Sequence, residues 1–337
     1  MASVRAIARR AGCSVATVSR VLNNSTAVSA ATREAVLAVI HEIGYATARP
    51  RPTTNTIGFA YTADRTLLDA FDAAVLEGAA RGCDEQGHDL CVLSMQRDKR
   101  RDETYAQFFS RKGVNAVVLR TTAATRETCE AVANEGFPHV VISDRFDSPA
   151  VNYVDGDSKV ESHRAIEYLV ALGHRRIAFA MHNVPDRDHL DRFEAYRAAL
   201  TAAGLDYAGQ YVFRHPSTLA GGATILSMMI SMPDRPTAIF CADPMLAVGC
   251  VKRAHELGIR IPQDFSIIGF DDTDARLGVF PTLTAVCQDA TAIGFEAARF
   301  LSRGERNASL RAIVPTFLEI NQSTGPVPTG GRSGAKL

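Results

Sequence analysis

The sequence contains no long uncharged apolar run, and its mean hydropathy is −0.02. A membrane-spanning helix needs about 20 consecutive apolar residues, so this absence argues against a transmembrane protein. The chain also runs from Met1 to the Arg9–Arg10 pair without the apolar stretch of a secretory signal. We therefore predict a cytoplasmic protein with no membrane partner.

Paired cysteines and catalytic motifs are missing as well. The seven cysteines show no CxxC spacing, which indicates reduced thiols in the cytosol rather than disulfides or a metal site. There is no GxGxxG after a first strand, no GxxxxGK[ST] and no GxSxG in a strand–turn–helix context. The nine histidines form no HExxH, and the Asp271–Asp272 doublet has no partnered nucleophile nearby. We expect no catalytic activity, no cofactor and no metal.

The net charge is zero, but the charges are unevenly distributed along the chain. Residues 1–55 carry seven arginines against two glutamates, a net charge of +5, so the remaining residues carry −5. A basic head on a mildly acidic body suits a phosphate-contacting module attached to a regulatory body. The length of 337 residues and a 46% hydrophobic content are enough for two or three folded domains.

The first 45 residues predict three short helices. Ser3 can cap the first helix, and Gly12 ends it. Ser14 can cap a second helix over residues 15–22, whose inward face holds Val18, Val21 and Leu22. Ser29 can cap a third helix from Ala30 to about Ile43, and Gly44 stops it. Two short helices joined by a Gly-containing turn indicate a helix-turn-helix unit, although a three-helix packing unit without DNA contact has the same pattern.

The specific residues distinguish these two interpretations. The strings ARRAGCSVATVSRVLNN and VSAATREAVLAVIHEIGY closely resemble the head of the LacI/GalR family of bacterial transcription regulators, continuously from Val4 to Tyr45. The resemblance implies base-reading and phosphate-contacting positions on the second helix and around it. The base-reading positions are Val15, Ala16, Thr17, Ser19 and Arg20, and the phosphate-contacting positions are Ser14, Asn23, Ser29 and Thr32. An arginine such as Arg20 suits guanine because its fork meets O6 and N7 together.

Beyond residue 56 the pattern changes to short apolar runs alternating with amphipathic helices. We predict strands at 57–61, 90–94, 115–119, 139–143, 176–180, 237–241 and 265–269. We predict helices at 71–86, 158–172, 189–203, 218–230 and 245–257. This alternation indicates an α/β fold of two doubly wound, parallel-sheet lobes with a cleft between them.

The body resembles the effector-binding core of the same family, a periplasmic-binding-protein-like pair of lobes. The resemblance is carried by ALGHRRIAFA (171–180), DRFEAYRAAL (191–200), the long segment 236–274 and FPTLTAVCQD (280–289). It implies a dimerising lobe 1 of residues 57–156 and 290–317, and a lobe 2 of residues 157–289 and 318–324. The effector-binding positions that it implies are Phe71, Asp144, Arg192, Asp243 and Asp271. Asp243 stands where the family usually has Asn, and the usual stacking aromatic is replaced by Pro216 beside His215.

The segment between head and body departs from the family. Residues 46–56 lack the leucines of the family's hinge helix, and Pro50 and Pro52 oppose helix formation. We predict an extended Pro/Arg linker whose Arg49 and Arg51 contact DNA. The Gly/Pro-rich residues 325–337 predict a disordered tail without a helical tetramerisation motif, so a homodimer is the expected assembly.

Taken together, these features predict a sequence-specific DNA-binding repressor controlled by a small effector, a sugar, bound in the cleft between the lobes. Carboxylates combined with an arginine suit the vicinal hydroxyls of a sugar. Two alternatives stay open at this point. One is a stand-alone solute-binding protein with the same core, which the helix-turn-helix pattern argues against. The other is a doubly wound enzyme, which the missing motifs argue against.

Overall fold

The computed structural model describes residues 4–22, 28–42, 55–63, 70–271, 273–304 and 308–328. The chain divides into two compact units, Met1–Thr54 and Asn55–Leu337. The first unit is built around one small hydrophobic cluster, and the second around several larger clusters on both faces of its sheets. Across the described residues, no helix combines the length and the apolar character needed to cross a bilayer.

The first unit consists of three helices, as the sequence predicts. They are α1 (Val4–Arg10), α2 (Val15–Leu22) and α3 (Ala30–Glu42). Gly12 follows α1 with φ of +64°, a backbone conformation that glycine adopts without strain. The Ser14 hydroxyl accepts a hydrogen bond from the Thr17 amide at 3.0 Å, and the Ser29 hydroxyl accepts one from the Thr32 amide at 3.3 Å. The predicted caps Ser14 and Ser29 are confirmed, and the third predicted cap, Ser3, lies outside the described residues.

The second unit alternates strands and helices along the chain. The strands are β1 (Thr56–Tyr61), β2 (Asp89–Ser94), β3 (Ala116–Arg120), β4 (His139–Ile142), β5 (Tyr153–Gly156), β6 (Ile177–His182), β7 (Val212–His215), β8 (Ala238–Cys241), β9 (Ser266–Asp271), β10 (Thr284–Gln288), β11 (Arg311–Val314) and β12 (Thr316–Glu319). The helices are α4 (Ala70–Asp84), α5 (Met95–Asp98), α6 (Tyr105–Arg111), α7 (Arg126–Asn134), α8 (Val160–Ala171), α9 (Arg187–Ala202), α10 (Leu219–Ile230), α11 (Pro244–Glu256) and α12 (Ala290–Ser302).

These strands form two sheets, one in each lobe. The lobe 1 sheet has the order β11-β5-β4-β3-β1-β2, and all of its neighbouring strands are parallel. The lobe 2 sheet has the order β12-β10-β9-β8-β6-β7, and only β12 runs antiparallel to its neighbour. The predicted α/β class with two doubly wound lobes is confirmed.

The chain passes between the lobes at three points. It leaves lobe 1 after β5, returns between β10 and α12, and crosses again at Pro315 between β11 and β12. The first two crossings lie after Gly156 and between Gln288 and Ala290, and the expected domain boundaries at 156/157 and 289/290 stay a prediction. The third lies two residues before the expected boundary at 317/318, because Thr316 and Phe317 already pair with Gln288 and Cys287 of lobe 2.

The end of the second unit differs from the sequence prediction. We expected a disordered tail from residue 325, but residues 325–328 are packed on lobe 2. His174 Nε2 donates a hydrogen bond to the Gly325 carbonyl at 3.1 Å, and the Val327 amide donates one to the Leu172 carbonyl at 2.9 Å. A side-chain and a backbone hydrogen bond to lobe 2 therefore fix a segment whose composition alone suggests a loose tail.

Candidate functional site

The exposed face of α2 is the candidate DNA-binding surface. Val18 and Val21 face the interior, so the positions between them face outward. Val15 is 47% exposed, and Ala16, Ser19 and Arg20 are also exposed. This surface therefore brings the five base-reading positions that the resemblance implies onto one short helix.

The phosphate-contacting candidates lie at helix starts. Besides capping α2, the Ser14 hydroxyl lies 2.9 Å from the Thr17 hydroxyl. The corresponding pair at the start of α3, Ser29 and Thr32, has its hydroxyls 2.8 Å apart. Helix N-termini present unsatisfied amides, which suits phosphate binding. Their contact with DNA stays a prediction, and Asn23, Arg49 and Arg51 lie outside the described residues.

In the second unit, a chain of alternating charges crosses between the two lobes. Arg120, at the end of β3 in lobe 1, donates to Asp72 at 2.8 Å and to Asp186 of lobe 2 at 2.9 Å. Asp186 contacts His189 Nδ1 at 2.5 Å, and His189 Nε2 contacts Asp243 Oδ1 at 2.9 Å. All five side chains are buried, so solvent screens these interactions little.

His189 is positively charged in this arrangement. Each of its ring nitrogens faces a carboxylate oxygen, which requires a proton on both. Burial lowers the pKa of His189, but the charges of Asp186 and Asp243 outweigh burial and raise it to about 10. The same imidazolium holds the pKa of Asp243 below its usual range against the effect of burial.

Arg192 reaches the same region from the second turn of α9. Its guanidinium donates to the Ala242 carbonyl at 2.7 Å and to the Ser158 hydroxyl at 3.2 Å, and lies over the Phe270 ring. Asp188 accepts a hydrogen bond from the Ser158 hydroxyl at 2.9 Å, but its nearest approach to Arg192 is 4.0 Å. Burial, together with the charge of Asp155, raises the pKa of Asp188 to about 8.

A cavity of about 20 Å³ lies where these groups meet. Its lining combines side chains from both lobes: Phe71, Arg120, Ser143, Asp186, Asp188, His189, Arg192, Asp243 and Pro244. Ser143 has φ of +60°, a conformation that non-glycine residues rarely adopt and that concentrates at functional sites. The volume is that of roughly one water molecule, so the lobes are closed on each other and a larger ligand requires them to separate.

A second set of ion pairs flanks the cavity. Arg145 of lobe 1 donates to Asp155 at 2.6 Å and lies 3.9 Å from Asp191 of lobe 2. Asp144 is paired with Arg126 and accepts a hydrogen bond from the Arg145 amide. Burial raises the pKa of Asp144 to about 6, although Arg126 opposes this effect.

The structure brings together three of the five predicted effector residues. Phe71, Arg192 and Asp243 line the cavity. Asp144 is buried beside Arg126 and is not among the lining residues. Asp271, at the end of β9, accepts hydrogen bonds from Arg276 and from the Ala275 amide, so it holds the following loop.

Several residues of the cavity were not predicted from the sequence. Arg120 and Ser143 follow apolar strands, and Asp186, Asp188 and His189 belong to a polar stretch that resembles a solvated helix start. These residues could have been identified from their positions at or after the carboxyl ends of parallel strands, where ligands bind in such sheets. Among the described residues, no group of His, Cys, Asp and Glu side chains is arranged to hold a metal ion.

Two family models match separate parts of this chain. The model for bacterial regulatory proteins of the lacI family matches residues 3–48, and the model for a periplasmic binding protein-like domain matches residues 166–324. The HTH-type transcriptional regulator DegA of Bacillus subtilis is 28% identical, over 96% of this chain and 98% of its own length. The HTH-type transcriptional repressor PurR of Vibrio atlanticus is 29% identical, over 89% of this chain and 91% of its own length.

Several solved structures have a similar fold. The transcriptional regulator CelR in complex with cellobiose is 27% identical, with a TM-score of 0.68 over 96% of this chain and 100% of that chain. A LacI family regulator from Mycobacterium smegmatis is 27% identical, with a TM-score of 0.66 over 81% of this chain and 100% of that chain. The lac repressor dimer bound to operator, at 23% identity and a TM-score of 0.68 over 96% of this chain and 99% of that chain, shares the fold.

Proposed function

We propose a specific function from the premise that this chain belongs to the lacI family of bacterial regulatory proteins. As a member it is a DNA-binding transcription regulator with a helix-turn-helix head and an effector-binding core. Within that class we propose a homodimeric repressor whose affinity for its operator changes when a sugar-like effector enters the cleft between the lobes. The observation that carries the proposal is the cavity at the meeting point of the two lobes, lined by buried charged groups.

The head supports sequence-specific binding through α2. Its exposed face carries Val15 and Arg20, and its buried face fixes the helix in the unit. A helix of this kind enters the major groove with its early residues against base edges. Two heads related by a two-fold axis read a pseudo-palindromic operator, which is the reason for proposing a homodimer.

The cleft supports effector control because both lobes contribute charged groups to it. Arg120 of lobe 1 and Asp186 of lobe 2 are paired directly when the lobes are closed. A ligand that replaces this pair changes the relative free energies of the closed and open core. The cellobiose-bound relative supports a sugar as the ligand class. The carboxylates at the cavity supply acceptors for hydroxyl groups.

A solute-binding protein without a regulatory role is the alternative. The helical head with its exposed recognition face argues against it, since transport of a solute requires no such unit. The lining of the cavity also lacks a nucleophile paired with a base, which argues against an acyl-transfer or hydrolytic function at this site.

Operator selection from random DNA, followed by a ligand screen, tests the proposal. We expect the purified full-length protein to enrich a pseudo-palindromic sequence. We also expect a sugar at 100 times its dissociation constant to add roughly 2.7 kcal/mol of stability and to change operator affinity. Failure to enrich any sequence would contradict DNA regulation. Enrichment without any response to sugars would contradict the proposed effector class.

A further inference from the structure

Two buried polar atoms in the wall of the cavity lack a hydrogen-bond partner among the described residues. One is the hydroxyl of Ser143, which follows β4 in lobe 1 and is fully buried. The other is Oδ2 of Asp243, which precedes α11 in lobe 2 and is 5% exposed. Both residues line the same cavity of about 20 Å³, and a buried polar atom without a hydrogen bond is costly. The closed cavity therefore offers two unmet hydrogen bonds, one from each lobe.

Neighbouring polar groups of the cavity already have protein partners. Oδ1 of Asp243 contacts Nε2 of His189 at 2.9 Å. The Arg192 guanidinium donates to the Ala242 carbonyl at 2.7 Å and to the Ser158 hydroxyl at 3.2 Å. A ligand group in the cavity can therefore satisfy the two unmatched atoms without breaking these contacts.

The backbone around Ser143 fixes the position of its hydroxyl. Ser143 has φ of +60°, and strained conformations of this kind concentrate at ligand-binding sites. The two residues that follow are held by ion pairs, since Asp144 is paired with Arg126 and Arg145 donates to Asp155 at 2.6 Å. A rigid segment therefore presents this hydroxyl to the cavity, which favours a direct role in ligand selection.

The free oxygen of Asp243 requires a ligand group that donates a proton. Where the family usually has an asparagine amide, which can donate, this chain has a carboxylate, which only accepts. Burial raises the pKa of Asp243, but the imidazolium of His189 outweighs burial and holds this pKa below its usual range. The carboxylate is therefore ionised at neutral pH. The Ser143 hydroxyl, by contrast, both donates and accepts.

A hydroxyl group of the effector meets the requirements of both atoms. It donates its proton to Oδ2 of Asp243 and accepts the proton of the Ser143 hydroxyl, and the cavity has room for one group of the size of water. An ether or carbonyl oxygen has no proton for Oδ2. An ammonium group has no lone pair for the serine proton, and a carboxylate adds a second negative charge beside Asp243.

We propose that one free hydroxyl of the effector bridges Ser143 of lobe 1 and Asp243 of lobe 2, which makes Ser143 a specificity-determining residue. The inference rests on the proposed function, because it takes the cleft as the effector site. It adds the requirement that the sugar position entering the cavity carries an unsubstituted hydroxyl. A group that touches both lobes in this way also stabilises their closed arrangement.

Calorimetric titration of the full-length protein with sugar analogues tests the proposal. D-glucose and D-ribose are each compared with their monodeoxy and mono-O-methyl analogues. For a sugar that binds, we expect one position at which both removal and methylation of the hydroxyl reduce the affinity about tenfold or more. The reason is that a hydrogen bond to a charged group contributes at least that factor.

A serine variant and a matched control locate that hydroxyl in the protein. Ser143→Ala should reduce the affinity for the parent sugar roughly three- to tenfold, and the deoxy penalty at the sensitive position should shrink by the same factor. The control is Ser162→Ala, because the Ser162 hydroxyl is also fully buried and without a partner among the described residues but lies outside the cavity lining. This control should leave both quantities unchanged.

A second variant covers a failure of Ser143→Ala to fold, as judged by thermal unfolding. Ser143→Gly also removes the hydroxyl, and glycine adopts φ of +60° without strain. It should therefore fold and show the same loss of affinity for the parent sugar.

The outcomes separate this inference from the proposed function. The inference is wrong if the variant without the Ser143 hydroxyl binds the parent sugar as tightly as the wild type, or if no single sugar position carries the penalty. A change of operator affinity with that sugar would still leave effector control intact. Binding of neither sugar would also overturn the inference, whereas enrichment of an operator would continue to support DNA regulation. Position-specific binding that leaves operator affinity unchanged would support the bridging hydroxyl and contradict effector control.

Discussion

Arg20 carries the most specific expectation for a single residue. If its exposed guanidinium contacts a guanine, Arg20→Ala should cost about 1–3 kcal/mol on the operator and relax the preference at one base pair in each half-site. Arg9, also exposed, serves as the matched control, and Arg9→Ala should weaken operator and random DNA equally. Competition binding measured by fluorescence anisotropy gives both affinities. Equal losses on the two DNAs from Arg20→Ala would contradict the assignment.

His189 gives a pH-dependent expectation. Its folded-state pKa of about 10 lies above the ordinary imidazole value, so its stabilising effect is complete below about pH 6.5 and is lost as the pH rises through 10. We expect His189→Gln to lower the free energy of unfolding by on the order of 3 kcal/mol at pH 6, because it breaks a buried charge chain. The difference from the wild type should shrink towards pH 10 in urea unfolding experiments.

The exposed His255 provides the control for this experiment. His255→Gln removes an exposed imidazole whose Nε2 donates a hydrogen bond to the Phe280 carbonyl, and it should cost far less. A His189→Gln effect that stays constant from pH 6 to 10 would show that His189 contributes through packing and not through its charge.

Among single residues, the sequence predicted some of those that line the cavity and missed the others. Phe71, Arg192 and Asp243 followed from the resemblance, and all three line the cavity. Arg120 and His189 were not predicted, because their importance lies in contacts with residues 48 to 66 positions away. Nothing in the local pattern distinguishes an arginine that ends a strand and bridges two lobes from one that faces solvent.

Among the secondary structure elements, the central ones were predicted more accurately than those at the sheet edges. The seven predicted strands agree with the structure to within about two residues, because each is a short apolar run. Five strands were missed. Of these, β7, β11 and β12 lie at sheet edges, where only one neighbour buries them, and β5 has mixed polarity. The interior strand β10 was also missed, although all of its residues are buried. Helix α12 was missed although its apolar face packs deep in lobe 1.

The packing of α4 against α12 depends on two glycines. A Cβ at Gly78 would lie 1.9 Å from the Thr291 carbonyl oxygen, and one at Gly294 would lie 1.9 Å from the Val75 carbonyl oxygen. We expect Gly78→Ala to destabilise the protein by about 3 kcal/mol, at the upper end of overpacking effects, because backbone must move. Thermal unfolding measures this loss.

A glycine in open space provides the comparison for Gly78. A Cβ at Gly278 would meet no atom within 4 Å, so Gly278→Ala should change stability by no more than about 0.5 kcal/mol. Equal effects from the two variants would mean that α4 and α12 can separate without cost, contrary to their close backbone contact.

For the whole molecule, the main prediction concerns how ligand binding changes the affinity for operator DNA. We expect Arg192→Ala to abolish the effect of ligand on operator affinity while leaving ligand-free operator affinity nearly intact. The reason is that ligand binding in the cleft and operator binding are linked by a coupling free energy of about 1–3 kcal/mol. Asp271→Ala should act in the same way if Asp271 is an effector residue. Arg197→Ala, at an exposed site on α9, is the control.

Operator binding with and without ligand distinguishes these variants. A folded Arg192→Ala protein that responds at wild-type ligand concentrations would place the effector elsewhere. A loss of response in Asp271→Ala alone would favour a route through the loop held by Arg276 rather than through the cavity.

The second prediction for the whole molecule concerns the linker, residues 46–56. Residues 46–54 lie outside the described residues, and their composition predicts an extended Pro/Arg segment without a hinge helix. The eleven residues 46–56 can span up to roughly 36 Å, so the heads can reach neighbouring half-sites. We expect little DNA bending, and we expect the double change Arg49→Ala and Arg51→Ala to reduce the slope of the salt dependence by up to about two units.

Bending and binding assays check the linker. Electrophoretic bending assays should report a nearly straight operator, and affinity at several salt concentrations gives the slope. A helix across residues 46–56 in a DNA complex, or a sharp central kink, would contradict the extended linker.

The second crossing, which returns the chain to lobe 1 between β10 and α12, determines when lobe 1 is completed during synthesis on the ribosome. Lobe 1 lacks α12 and its edge strand β11 until about nine-tenths of the polypeptide has been synthesised, because these elements come from residues 290–314. In the three-helix unit, by contrast, the hydrophobic cluster formed by the described residues lies entirely within the first 42 residues. Domains fold as they emerge, N-terminal parts first. A nascent or prematurely terminated chain therefore carries a finished recognition helix before it has a cleft that can respond to any ligand.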